Sequence, residues 1–115
     1  TIRGWWQENR ALTQQFYNTE LGQSGEAPYF CEPWINRAIV LQHLYSPAMW
    51  SIFQLQDILG MSAELRRENP EDERINVPAN PQHYWRYRMH IGLEQLIKEK
   101  NFNDELKGYV QHSGR

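Results

Sequence analysis

Cys31 is the one cysteine in 115 residues. An intramolecular disulfide is therefore impossible, and a reducing, cytoplasmic setting is expected. The apolar runs fall far short of the roughly 20 residues that cross a bilayer, so no membrane partner is expected. Thr1-Ile2-Arg3-Gly4-Trp5 has neither the charged start nor the apolar stretch of a signal peptide. Charge of one sign is not in excess: 12 Lys and Arg face 14 Asp and Glu, giving a net charge of -2. No basic patch recommends nucleic acid as a partner. No Gly-rich loop leads into a helix, which leaves phosphate binding without support. His43, His83, His90 and His112 fall in no H-E-x-x-H pattern, and no cysteine pair accompanies them, so no metal site is expected. His83 and His90 could share a helix face as surface or capping groups. Nothing local activates Cys31, which reads as a small buried hydrophobe. Ser62 sits in no nucleophile-elbow motif and reads as a helix cap.

What is present is aromatic. Five Trp and six Tyr occur in a chain of mean hydropathy -0.79. Aromatics fill cores, and they also stack on sugars and bases. The length suits a single segment, 1–115, with one small core. The absence of an initiator Met fits a fragment or a processed product.

Helical spacing dominates. Trp5, Leu12 and Phe16 align on one face of a helix expected from Ile2 to Leu21, with Gly22 as its stop. A loop follows through Cys31. Glu32-Pro33 opens a second helix, carrying Trp34, Ala38, Leu41 and Tyr45 at helical intervals. Met49 to Leu55 reads two ways. Trp50, Ile52 and Phe53 favour a short buried strand, whereas Ser46-Pro47 resembles a helix start. Met61 to Gln82 is a polar loop holding Pro70, Pro78 and Pro81, and loops this long are usually functional or disordered. Asn80-Pro81 caps a further expected helix with Trp85, Ile91, Leu93, Leu96 and Ile97 on it. A short terminal helix is expected from Asn103. The expected fold class is mainly α, with at most one or two short strands.

Two stretches could carry chemistry. Glu73-Arg74-Ile75-Asn76-Val77-Pro78 is a charged, proline-bounded loop, and Tyr84-Trp85-Arg86-Tyr87-Arg88 is an aromatic-arginine cluster. Together they suit a sugar-binding surface better than a plain core. Consecutive helix residues point different ways, however. Trp85 therefore reads as core, and Arg86 or Arg88 as a partner for a carboxylate, rather than as a platform. Asn76 offers an amide donor and acceptor, as sugar hydroxyls require. Taken alone, it reads rather as an Asx-type turn. Gln56 and Asp57 stand where a strand would end, a position at which α/β folds gather binding groups. Asp57 could equally cap the turn that follows. The acids Glu64, Glu68, Glu71, Asp72 and Glu73 read as a solvated loop, not as the facing carboxyl pair that glycoside chemistry uses.

Leu55-Gln56-Asp57-Ile58-Leu59-Gly60, Arg74 through Pro78, and Trp85-Arg86 taken together resemble the C-terminal end of the 4-alpha-glucanotransferase family. Thr1-Ile2-Arg3-Gly4-Trp5 is similar to the end of that family's His-Asp-x-x-Thr-x-Arg-Gly-Trp motif. Ala79 departs from the pattern, which commonly has Gly after the proline. The length of Ser62 to Asp72 is similar to that of the larger members with extra starch-binding domains, including the plant cytosolic type. The resemblance implies the last units of a (β/α)8 barrel, with Met49 to Leu55 as its eighth strand. It implies transfer of α-1,4-glucan segments between maltooligosaccharides by a retaining double displacement. The nucleophile Asp, the acid/base Glu and a stabilising Asp would all lie upstream, leaving no catalytic residue in this chain. Asn76, Gln56, Asp57 and Arg74 are the implied substrate-binding residues. No cofactor is implied. The isolated piece is expected to be inactive and to self-associate. The competing readings are a stand-alone helical interaction domain and a small carbohydrate-binding module. Such modules are usually β-rich, against the helical patterns here.

Overall fold

Pro33 begins the helix around which the chain packs. In the computed structural model, which describes residues 1–82 and 86–115, this helix is the third of six α-helices among the described residues. We label them α1 (Ile2–Glu8), α2 (Arg10–Thr19), α3 (Pro33–Leu44), α4 (Leu55–Leu59), α5 (Leu93–Lys98) and α6 (Lys100–His112). A 3-10 turn spans Pro70–Glu73, and no strand occurs among the described residues. The mainly helical expectation therefore holds.

Glu32 is the extended N-cap of α3, and Pro33 occupies its first turn, where the missing N–H is not needed. The helix is apolar on two sides and is buried on both. Ile35 and Ile39 join Trp6, Ala27 and Cys31 in one cluster. Val40 and Leu44 join Met61 in another, closed by Phe102, Leu106 and Tyr109 of α6.

The single helix expected from Ile2 to Leu21 is two. Asn9 leaves helical geometry at φ -130° and ψ 91°, and its Oδ1 accepts the Leu12 N–H at 3.1 Å. A short amide side chain competes with the helix backbone in this way and favours caps over interiors. Across the break, Trp5 and Phe16 meet edge to face, 5.8 Å between ring centroids, while Leu12 is left exposed. Gly22, at φ 65°, turns the chain out of α2 as expected, in a conformation that other residues rarely adopt.

Met49 to Gln54 forms neither the strand nor a helix after Ser46-Pro47; α4 starts only at Leu55. A strand exists by pairing, and the described residues offer this segment no partner strand. The loop after α4 contains the 3-10 turn, with Asn69 Oδ1 accepting the Glu71 N–H at 3.1 Å. Ser62 caps no helix, because none directly follows it; its Oγ accepts the Leu65 N–H at 3.3 Å and closes a local turn instead.

No helix starts at Pro81. Asn80 Oδ1 takes the Gln82 N–H at 3.0 Å, closing a local turn. Helix α5 begins instead at Leu93, and α6 begins at Lys100, three residues before the expected Asn103. The expectations for His83, Tyr84 and Trp85 lie outside the described residues.

Candidate functional site

Helix α1 and the loop from Arg67 to Pro78 are joined through one arginine. Arg3 Nη1 donates to Glu73 Oε1 at 2.6 Å and to the Arg67 carbonyl at 2.6 Å, and Nη2 donates to the Glu68 carbonyl at 3.2 Å. Arg3 and Glu73 are each only 2% exposed. Helix α4 braces both partners from the other side. Gln56 Nε2 donates to the Glu73 carbonyl at 3.3 Å, and Asp57 Oδ1 accepts the Ile2 N–H at 2.8 Å. Helix α3 reaches in as well, with Asn36 Nδ2 donating to the Asp57 carbonyl at 2.7 Å. Asn36 leaves little room: a Cβ on Gly60 would stand 2.7 Å from Asn36 Oδ1.

Between α1 and the braced loop lies a cleft of about 600 Å³. Thr1, Trp5, Gln7 and Glu8 form one wall; Glu71, Arg74, Ile75, Asn76 and Pro78 form the other, with Gln54 at the margin. A second, more apolar cleft of about 390 Å³ lies beside it, and Thr1, Trp5 and Gln54 line both. Amides, carboxylates and an indole lining one groove provide donors, acceptors and an apolar surface, the mixture that a polyhydroxylated ligand requires.

Of the four residues implied as substrate-binding, the structure brings two to this cleft. Arg74 is held within its loop, Nε donating to the Asn76 carbonyl at 3.0 Å and Nη1 lying 3.6 Å from Glu71 Oε2. Asn76 is exposed on the wall. The Asx-type turn is ruled out by chemistry, because it needs the N–H of residue 78, which is proline. The chain turns one residue later, with the Asn80 N–H donating to the Val77 carbonyl at 3.0 Å. No non-glycine residue among those described has positive φ, so Ala79 sits in this turn without left-handed backbone.

Gln56 and Asp57 do not line this cleft. Gln56 is buried at 4% exposure and committed to Glu73. Asp57 borders the apolar cleft and caps neither its own turn nor a free edge: its carboxylate sits on the first turn of α1, where the helix dipole favours negative charge. Trp5, Gln7, Glu8 and Gln54 were not expected in a site. The Arg-Gly-Trp pattern that contains Trp5 was the available signal for that wall. Arg67 reaches the later arginine-aromatic stretch. It donates to the Arg88 carbonyl and lies 5.5 Å from the Tyr87 ring centroid.

The cleft's carboxylates are largely committed. Glu73 is paired with Arg3 and Glu71 with Arg74, leaving Glu8. Two free carboxyl groups facing one sugar bond, as glycoside chemistry uses, are not found along the described lining. Burial pushes the Cys31 thiol up to about 12, despite the lowering influence of Arg66 and Arg3. It is a core side chain, not a nucleophile. Burial, then the nearby Arg3 charge, lowers the pKa of Arg66. No His, Cys, Asp and Glu grouping suited to a metal occurs among the described residues. No helix among them is long and apolar enough to cross a membrane.

The family described as 4-alpha-glucanotransferase matches residues 1–94. The chain belongs to this family. It is 40% identical over all 115 residues to "4-alpha-glucanotransferase DPE2" of Oryza sativa subsp. japonica. It spans 12% of that protein's length, so it corresponds to a fragment of a larger enzyme. No solved structure matches it significantly. The family match includes α1, α4 and the Arg74–Pro78 loop, and therefore both walls of the cleft.

Proposed function

We propose that the chain is a C-terminal segment of the catalytic barrel of a 4-alpha-glucanotransferase, and that its cleft forms part of a glucan site. The enzyme transfers α-1,4-glucan segments between maltooligosaccharides by a retaining double displacement. The carboxylates that perform it lie elsewhere in the enzyme. This segment binds and orients sugar: the Asn76 amide hydrogen-bonds hydroxyls, and Trp5 offers an apolar face opposite. Met49, Trp50 and Ile52 meet their packing partners in the rest of the enzyme. The buried lone cysteine fits a reducing compartment, and we assign the enzyme to the cytosol.

The observation that carries this reading is the meeting of Asn76 and Trp5 across one cleft in a chain of this family. The test is Asn76→Ala in the full-length enzyme, with kcat/KM measured for maltotriose disproportionation. Loss of one useful hydrogen bond costs on the order of 1 kcal/mol, about a fivefold drop. Unchanged kinetics across donors and acceptors would remove Asn76 from the site.

A further inference from the structure

We infer that Glu73, gripped by Arg3 and Gln56, is a positioning residue that sets Asn76 at its working distance from the Trp5 wall. The inference rests on the proposed glucan site and adds to it a device that holds the site open at one width.

Arg3 and Trp5 share α1, and Glu73 and Asn76 share a loop, so the buried pair links the two walls directly. Between Glu73 and Asn76 stand only two residues, and the intervening Arg74 is itself tied to the Asn76 carbonyl at 3.0 Å. Pro78 narrows the backbone choices just beyond. Displacement of Glu73 is therefore passed to Asn76 rather than absorbed. The Glu73 carbonyl is fixed independently by Gln56, so side chain and backbone of this one residue are both anchored.

The pair is poorly built for stability alone. Arg3 Nε and Glu73 Oε2 are buried with no hydrogen-bond partner among the described residues. Half-satisfied buried charges return less than a well-packed apolar pair of the same volume. What such a pair does supply is a fixed register between elements, the best-attested use of buried ion pairs. Here the register is the separation of two cleft walls.

The test is a double-mutant cycle in the full-length enzyme, with Glu73→Gln and Asn76→Ala alone and together, read as kcat/KM for maltotriose. Residues that act as one unit give non-additive losses. If Glu73 acts through Asn76, each single variant loses about fivefold to tenfold, and the double variant loses little more than the worse single. Losses that multiply would show that Glu73 matters only for general integrity and would overturn the inference. A silent Glu73→Gln beside a damaging Asn76→Ala would also overturn it while leaving the glucan site intact. A silent Asn76→Ala would instead remove the site reading on which the inference rests, and the inference with it. If Glu73→Gln does not fold, the same cycle is run with Gln56→Met, which removes the second anchor and keeps side-chain volume. Multiplicative losses, or no loss from Gln56→Met, overturn the inference there too.

Discussion

Asp57 and Ile2 stand 55 positions apart, yet the Asp57 carboxylate accepts the Ile2 backbone N–H at 2.8 Å. The contact makes Asp57 a cap supplied from another helix. Asp57→Asn keeps an acceptor oxygen at the same place and should have little effect. Asp57→Ala leaves the α1 terminus short of one bond and should lower stability by about 1 kcal/mol. Thermal unfolding of the two variants beside the parent separates this role from direct sugar contact. A sugar contact would instead make both variants kinetically defective with unchanged melting.

The Arg3–Glu73 pair should be asymmetric under mutation. Glu73→Leu alone strands a buried guanidinium and should cost about 3–5 kcal/mol. Arg3→Met combined with Glu73→Leu should recover most of that loss, since neither charge then remains buried. The check is the unfolding midpoint of the full-length enzyme for the single and the double. A double variant no more stable than the single would show that the pair's own attraction, not the stranded charge, dominates.

Cys31 should be inert in the folded protein. Its thiol is raised from 9.0 to about 12, so the thiolate is scarce at neutral pH and the sulfur is also shielded. Labelling by a thiol reagent at pH 8 should be slow until denaturant is added. Because the folded state holds this proton more tightly than the unfolded one, its influence is absent below pH 9. Stability should then fall as pH rises from 9 towards 12, by about 1.4 kcal/mol per unit. Comparison with Cys31→Ala isolates that slope from tyrosine and lysine titration. Rapid labelling under native conditions would refute the buried assignment.

The isolated chain should show no transglycosylase activity. Two of the three carboxylates lining its cleft are tied to arginines. Incubation with maltotriose should yield neither glucose nor longer oligomers. Robust activity of the purified chain would refute the placement of the catalytic groups elsewhere.

The isolated chain should also self-associate. Met49 is 89%, Trp50 76% and Ile52 86% exposed along one short segment. An exposed apolar run of this kind seeks a partner. Sedimentation equilibrium should report dimers or larger species, with the association weakened by Trp50→Ser. A clean monomer at high concentration would count against the barrel-segment reading.

The sequence made some of this architecture legible. Glu32-Pro33 announced α3 because a cap and a proline act locally, within one helical turn. Gly22 announced the end of α2 for the same reason. Asn9 was legible in principle, but the apolar spacing of Trp5 and Phe16 ran across it and masked the break. Periodicity reports which face is buried, not whether the helix is continuous. The Asn76 wall was visible because Pro78 and Arg74 flank it in the chain. The commitments of Gln56 and Asp57 were not, since their partners Glu73 and Ile2 are distant in sequence and no spacing rule reaches them. Met49 to Leu55 failed differently. Its composition suits a strand, but strand formation depends on a neighbour that the described residues do not supply.

The bond between Arg3 and Glu73 spans 70 positions. During synthesis, α1 therefore leaves the ribosome long before its partner exists, and the cleft cannot close until the loop emerges. Closing so long a loop brings an entropic cost that local helices do not bear. The helices should form early and the two walls should meet late. Defects at Arg3 or Glu73 should accordingly speed unfolding more than they slow folding.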